Sequence, residues 1–226
     1  MKTKFFLSLF VFTSLLLTSC SSDDGESTGT STGNYWPMAV NNSWIFDNNG
    51  INEETKILGT NTFSGKTYYR LNDIYTSGVY VKNWVTKKGA TYFQKIDDVT
   101  VNEQGVNIYF KSYEIPIFRD DLNVNQQWSG TVKAKITYTY NGQSTSPSSR
   151  IEYTGTVLEK NATVTLNGNT YNDVIKVRLT VKVVIDTQIT TTTSEYWFAN
   201  EVGPIREYTN DSGDISEQTL ISYTLY

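Results

Sequence analysis

Strict alternation of apolar and polar residues constrains this fold more than any other feature of the sequence. In the longest run, every second residue from 175 to 185 is Ile, Val or Leu, and the residues between them include Lys176, Arg178, Thr180 and Lys182. A period of two residues is that of a β-strand with one buried face. A second alternating run covers residues 133–140. The sequence therefore predicts an all-β domain whose strands, at about 8 to 12 residues, exceed the usual length of about 5 or 6.

Dipeptides that end in glycine divide the domain into strand-length segments. They are Asn49-Gly50, Ser64-Gly65, Ser77-Gly78, Lys88-Gly89, Gln104-Gly105, Asn141-Gly142, Asn167-Gly168 and Ser212-Gly213. Asn-Gly between alternating runs is a strong hairpin signal, so consecutive strands are expected to pair antiparallel in a meander. We expect a single domain of about ten to twelve strands over residues 35–226. Its strongly curved sheet would form either a lipocalin-like or half-barrel arrangement or a two-sheet sandwich.

An internal repeat runs through the domain. The segment 38–44, which ends at Trp44, aligns with 122–128, which ends at Trp128. Further on, 62–68 aligns with 165–171. In a third match, Trp84 and the later Gly89 correspond to Trp197 and the later Gly203. Three matches in the same order predict a duplication, with units of about 35–120 and 121–226. The element around each first Trp is expected to be a turn that leads into a strand, with its Trp in the core.

The first 20 residues have the pattern of a secretory signal. Lys2 and Lys4 precede a mainly apolar run from 5 to 17, which is too short for a typical membrane-spanning helix. The run is followed by Thr18, Ser19 and Cys20, which is the only cysteine of the chain. This pattern resembles the lipobox of bacterial lipoproteins. The resemblance implies that residues 1–19 are a cleaved signal peptide and that Cys20 carries the lipid.

The segment after the cysteine, residues 20–34, is rich in Ser, Thr, Gly and acidic residues, which predicts a flexible tether. Within it, Ser22, Asp23, Asp24 and Glu26 resemble the acidic export signal of Bacteroidota surface lipoproteins. This resemblance implies a lipid-anchored protein of the outer membrane that faces the cell surface, and a periplasm-facing lipoprotein is the alternative. The β domain resembles only uncharacterised secreted β-lipoproteins of that group, which implies no activity.

Composition excludes several functional classes. The chain has no histidine and one cysteine, which rules out Ser-His-Asp and Cys-His catalysis and His-ligated or Cys-rich metal sites. Its formal net charge of −4 does not suit a nucleic-acid partner, because phosphate binding needs clustered Lys and Arg. We expect no cofactor and no nucleic acid, and a membrane contact through the lipid anchor.

Oxygen-rich motifs are the remaining candidates for chemistry. The carboxylate doublets at 53–54, 97–98 and 120–121 are expected to be solvated turn ends, since adjacent strand residues point to opposite faces and do not form the pair of a glycosidase. The segments 47–50 and 210–214 look like calcium loops but lack EF-hand spacing, and Asx-rich hairpin turns have the same composition. The protein is therefore expected not to be an enzyme, with a carboxylate-dependent hydrolase as a distant alternative.

Clustered aromatic residues are the positive functional signal. Adjacent aromatics on a strand project to both faces, so some of them are available to line a concave site. The candidates for a ligand-lining role are Tyr69, Tyr80, Trp84, Tyr196 and Trp197. Two functions remain open: a lipoprotein that binds a lipid, glycan or peptide, and an accessory subunit that binds an outer-membrane protein partner. Cross-strand stabilisation of the sheet is the structural alternative for the same rings.

Overall fold

The computed structural model describes residues 29–76, 78–211 and 213–226. The predicted signal peptide, Cys20 and the four export-signal residues lie outside this part of the chain. The described residues form an all-β structure, as the alternation predicts. In chain order the strands are β1 (Ser43–Asn48), β2 (Ile51–Phe63), β3 (Lys66–Leu71), β4 (Ile74–Thr76), β5 (Val79–Val81), β6 (Asn83–Lys88), β7 (Thr91–Ile96), β8 (Val99–Glu103), β9 (Val106–Phe110), β10 (Tyr113–Arg119), β11 (Gln127–Lys133), β12 (Ile136–Tyr140), β13 (Gln143–Thr145), β14 (Ser149–Leu166), β15 (Asn169–Ile185), β16 (Gln188–Ala199), β17 (Gly203–Asp211) and β18 (Asp214–Thr224).

Twelve of these strands form one antiparallel sheet, in the order β10-β7-β6-β3-β2-β1-β18-β17-β16-β15-β14-β11. The first and last strands of the domain, β1 and β18, pair in its middle. The two edge strands approach each other where Trp128 Nε1 donates a hydrogen bond of 3.2 Å to the Pro116 carbonyl. The sheet is therefore strongly curved and nearly closed. The prediction of a strongly curved antiparallel sheet is confirmed. The described residues form eighteen strands rather than the predicted ten to twelve, and twelve of them belong to this large sheet.

Shorter strands form two smaller sheets, of four strands (β13-β12-β9-β8) and two strands (β4-β5). The alternating run 133–140 is predicted as one strand, but the structure divides it between β11 and β12. The division arises because the Lys135 carbonyl accepts a 2.9 Å hydrogen bond from Lys111 N. The chain thereby leaves the large sheet, and Ile136 pairs with Phe110 of β9 instead.

The two halves of the large sheet repeat the same meander, β1-β2-β3-β6-β7-β10 and β11-β14-β15-β16-β17-β18. The turns that precede β1 and β11 are equivalent. Asn41 and Asn125 both have positive φ, 75° and 68°. Asn41 N donates to the Ile57 carbonyl over 2.9 Å, and Asn125 N donates to the Val157 carbonyl over 2.8 Å. The two turns therefore have the same backbone conformation and the same hydrogen bond, while the duplication itself stays a prediction.

Aromatic rings fill much of the interior of the curved sheet. Phe118 stacks between Tyr92 and Phe198, with ring centroids 4.9 and 4.5 Å away. Tyr35 packs edge-on against Phe118 at 5.7 Å, and Trp36 packs against Phe198 at 5.9 Å. Both of these last rings come from the segment before β1, so the N-terminal part of the domain is built into the core.

Residues 31–36, which we name the N-terminal strap, are hydrogen-bonded to both halves of the sheet. Thr32 N donates to Asp120 over 3.0 Å, and Asn34 N donates to Asn200 Oδ1 over 2.8 Å. The sequence predicts a tether that extends to residue 34, whereas hydrogen bonds to the sheet begin at Ser31. The reason is that the buried Asp120 carboxylate requires donors, and the strap supplies them.

Candidate functional site

The curved sheet encloses a cavity of about 770 Å³, which we name the main cavity. Its apolar wall is formed by buried side chains from four strands and the strap: Trp36, Phe46, Leu71, Ile117 and Phe198. Alternation along each strand directs these side chains inward. The curvature of the sheet then brings residues from β1, β3, β10 and β16 around one space.

Trp36 is the wall residue that the sheet itself does not supply. It is only 8% exposed, and its ring lies 6.4 Å from that of Trp44 in an edge-on contact. Its indole N–H is buried and has no hydrogen-bond acceptor among the described residues. Buried donors are nearly always paired, so this wall contains an unsatisfied polar group.

Glu207 is the most deeply placed carboxylate of the main cavity. Gln218 Nε2 donates to it over 2.7 Å, Thr209 Oγ1 donates over 3.3 Å, and the Tyr196 hydroxyl also hydrogen-bonds to it. The side chain retains some exposure because it faces the cavity, while protein surrounds its other sides. Burial raises the pKa of Glu207, although these donors oppose the shift. Burial also raises the pKa of Tyr196, and the adjacent Glu207 carboxylate raises it further.

The hairpin of β4 and β5 lies at the mouth of the main cavity. Ile74 and Tyr75 of this hairpin line the cavity. Tyr80 is the cross-strand partner of Tyr75, and their rings are 4.9 Å apart. These two tyrosines are 65% and 73% exposed, so the mouth carries an aromatic pair that faces solvent.

A second cavity has a volume of about 540 Å³. Asn34, Met38 and Tyr69 line it, together with three lysines, Lys66, Lys87 and Lys88. Trp36 also lines it and is thus common to the linings of both cavities.

The five aromatic residues that the sequence proposes as ligand-lining do not come together in one site. Tyr196 lines the main cavity, Tyr69 lines the second cavity, and Tyr80 lies on the hairpin at the mouth. Trp84 and Trp197 line neither cavity. Each of these two Trp residues lies next to an inward-facing residue on its strand, so its ring points to the opposite face of the sheet.

The rings of Trp84 and Trp197 occupy equivalent cross-strand triplets. Arg70 and Lys95 flank Trp84 at 5.8 and 6.0 Å from its ring, and Lys176 and Arg206 flank Trp197 at 4.2 and 4.5 Å. In both halves the flanking residues are the paired residues of the neighbouring strands. Cation–π contact and cross-strand packing account for the position of both Trp residues, and their ligand-lining role stays a prediction.

Four residues that line the main cavity are not among the candidates proposed from the sequence: Trp36, Phe46, Phe198 and Glu207. A signal existed for Phe198, because it shares a strand face with Tyr196 at a spacing of two residues. Glu207 carries no local signal, since its environment is created by Gln218 on β18 and Tyr196 on β16.

Two of the acidic doublets have structural roles, and for one of them the structure differs from the prediction. Asp98 accepts hydrogen bonds from Ser112 N over 2.6 Å and from the Tyr109 hydroxyl over 2.8 Å, and these bonds lower its pKa. Asp120 is completely buried, which contradicts the prediction of a solvated turn end. Asp120 is buried because of tertiary contacts: it accepts hydrogen bonds from the strap and lies 3.4 Å from Lys87 Nζ.

The two segments that look like calcium loops are hairpin turns closed by their own side chains. Asp47 Oδ1 accepts from Gly50 N over 2.7 Å, and Asn210 Oδ1 accepts from Gly213 N over 2.9 Å. Such Asx contacts are typical of tight turns. Across the described residues, no three Asp, Glu, Cys or His side chains are grouped as a metal site.

Comparison with known proteins gives two structural neighbours, and neither a family model nor a curated protein matches the chain. One neighbour is a candidate lipoprotein from Parabacteroides distasonis, with 14% identity, a TM-score of 0.46, and coverage of 84% of this chain and 98% of the other. The second is a candidate exported protein with a YmcC-like fold from Bacteroides fragilis, with 9% identity, a TM-score of 0.45 and the same coverage. Both likenesses are too distant to transfer a function. In the part of the chain that is described, no helix has the length and hydrophobicity to cross a bilayer.

Proposed function

We propose that this protein is a lipoprotein of the outer membrane, anchored through Cys20, whose β domain binds a small ligand without catalysing a reaction. The observation that carries the binding proposal is the main cavity. Its volume of about 770 Å³ lies within the range of about 300 to 1,000 Å³ that is typical of ligand sites. Apolar walls with a few convergent polar groups are the usual composition of such sites.

The contrast between a tightly packed region and an adjacent open space in the interior supports the binding proposal. Aromatic stacking packs the region around Phe118 tightly, yet the adjacent space between Trp36, Phe46 and Phe198 is open. Protein interiors are otherwise close-packed, and a void lined by apolar groups forgoes dispersion contacts. A bound molecule would restore those contacts, which gives binding a physical driving force.

Native mass spectrometry of the protein purified gently from its own host tests the binding proposal. We expect a reproducible added mass of a few hundred daltons, because a ligand of that size fits the main cavity. Gln94 lines the cavity from β7, and Gln94→Trp should fill part of the space and abolish the added mass. Gln143→Trp is the matched control, since Gln143 is exposed on β13 and outside both cavities.

The result that would refute a carrier function is a bare protein mass for the parent chain together with no binding of added apolar or amphiphilic compounds. An added mass that survives Gln94→Trp unchanged would place the ligand elsewhere on the protein.

The anchor part of the proposal has a separate test. Cys20→Ala removes the acylated thiol, and we expect the variant to leave the membrane fraction, because a lipid chain is the only attachment proposed. Deletion of residues 22–26 should leave the protein membrane-bound but inaccessible to external protease. Membrane retention of Cys20→Ala would contradict the lipid anchor, and continued surface exposure of the deletion variant would contradict the export signal.

A second function, binding of an outer-membrane protein partner, is favoured by the hairpin at the cavity mouth. Ile74, Tyr75 and Tyr80 expose apolar surface next to one another, and exposed aromatic groups of this kind are common at protein interfaces. In the same native mass spectra, a stoichiometric protein adduct that Tyr80→Ser removes would favour this function over ligand carriage.

A further inference from the structure

The charges of the two cavities are segregated. Among the described residues that line the main cavity, four are acidic and none is a lysine or arginine: Glu53, Glu54, Asp73 and Glu207. The second cavity has the opposite composition, with three lysines and no carboxylate. The ionisable side chains that line the two cavities are therefore opposite in sign.

Among the described residues, three of the four carboxylates have no positively charged partner. Asp73 pairs with Arg70 at 2.5 Å. None of the ion pairs formed by the described residues includes Glu53, Glu54 or Glu207. Glu53 and Glu54 lie on the exposed rim, where water solvates them. Glu207 lies deep in the wall and receives only neutral donors.

A deep carboxylate that lacks a countercharge favours a cation in the space it faces. The surrounding wall suits the rest of such a molecule. The Tyr196 hydroxyl hydrogen-bonds to Glu207, and the Tyr196 ring lies 6.0 Å from that of Phe198, so the wall near the carboxylate is aromatic. Phe46 and Leu71 supply aliphatic and aromatic surface for an apolar body.

We propose that the main cavity takes a ligand with a cationic nitrogen on an apolar body, and that the nitrogen lies at Glu207. This inference rests on the proposed binding function and names its ligand class. An ammonium group would complete an ion pair with the carboxylate while retaining the hydrogen bonds from Gln218 and Thr209. Fatty acids and other anionic amphiphiles are disfavoured, because their carboxylate would approach Glu207 without an intervening positive group.

A matched set of probes tests the ligand class: 4-phenylbutylamine, 4-phenylbutanol and 4-phenylbutanoate share one apolar body and differ in charge. The full-length lipidated protein would be presented in lipid nanodiscs, with empty nanodiscs as the blank, and binding would be followed by ligand-observed NMR. We expect the ammonium probe to bind about tenfold or more tightly than the alcohol, and the carboxylate probe to bind least.

Variants locate the interaction. Glu207→Gln should reduce the preference for the ammonium over the alcohol to about threefold or less and leave the alcohol's affinity nearly unchanged. Glu217→Gln is the matched control: Glu217 lies on β18, pairs with Arg206 and lines neither cavity. It should retain the full preference.

The outcomes separate the two proposals. Equal binding of all three probes, or tighter binding of the carboxylate, would overturn the cationic ligand class and leave the binding function standing. Absence of binding by every probe would overturn the cationic ligand class, and together with a bare protein mass in the native spectra it would also overturn the binding function. If Glu207→Gln fails to fold, the ranking of the probes on the parent protein still decides the ligand class. A preference that persists in folded Glu207→Gln would overturn the assignment to Glu207.

Discussion

Replacement of Trp44 by alanine should lower the free energy of unfolding by about 3 to 5 kcal/mol. The ring is completely buried and donates through Nε1 to the Val202 carbonyl over 2.7 Å. It packs directly over Gly203, where an added Cβ would lie 2.8 Å from Nε1. The substitution therefore removes a large apolar surface, leaves an acceptor unpaired and opens a void that the strands are unable to close.

Trp128→Ala should cost a similar amount, about 3 to 5 kcal/mol, for an equivalent reason. Its ring lies over Gly155, with an added Cβ only 2.0 Å away, and its Nε1 bonds to Pro116 at the seam of the sheet. Urea denaturation of both variants measures the loss. Trp197→Ala is the control, since that half-buried ring lies on the outer face, and its cost should be clearly smaller. Denaturation midpoints equal to the parent's would contradict the placement of both buried rings.

Removal of the Asp120 carboxylate should release the strap. We expect Asp120→Ala to cost about 3 kcal/mol, the low end of the range for breaking a buried ion pair, because Lys87 keeps contact with water. The carboxylate is completely buried, accepts from Ser31 Oγ over 2.7 Å and from Thr32 N over 3.0 Å, and lies 3.4 Å from Lys87 Nζ. Its loss leaves Thr32 N without its acceptor and removes one hydrogen bond of Ser31 and the ion pair of Lys87, so the strap should detach before the sheet unfolds.

Limited proteolysis and urea denaturation measure the Asp120 effect together. The strap of Asp120→Ala should be cleaved between residues 29 and 36 under conditions in which the parent protein resists. Asp121→Ala is the matched control: its partner Arg119 is 2.7 Å away and both side chains keep contact with water, so its cost should be about 1 kcal/mol or less. Equal resistance and equal midpoints for parent and Asp120→Ala would show that the strap is held by its aromatic rings alone.

Local sequence patterns predict most of this fold because β-strands and tight turns depend on short-range chemistry. Alternation over residues 175–185 predicts a long half-buried strand, and β15 covers that run. Asn141-Gly142 and Asn167-Gly168 predict hairpins, and all four residues have positive φ. The repeated Trp motifs predict the two equivalent meanders. The run 133–140 is the exception, because a change of sheet at Lys135 follows from a distant partner, Lys111.

The candidate site was much less predictable. Alternation states that Tyr196 and Phe198 share one face while Trp197 takes the other, but it does not state which face encloses a cavity. Trp84 and Trp197 carry a strong aromatic signal, yet their flanking cations lie on neighbouring strands and bind them to the outer face. Aromatic clusters in the sequence therefore do not distinguish rings that line a cavity from rings that pack against cations on the outer face of the sheet.

The sequence by itself determined the all-β class and the order of hairpins, because both are encoded in neighbouring residues. The internal repeat and the resemblance of the first 26 residues to a lipoprotein signal and tether are also local patterns, and they stay predictions. Tertiary structure alone decided the rest. Closure through the pairing of β1 with β18, and the curvature of the sheet, bring Phe46, Phe198 and Glu207 around one cavity. Burial of Asp120 and of the strap likewise depends on partners far apart in the chain, whose meeting no local pattern specifies.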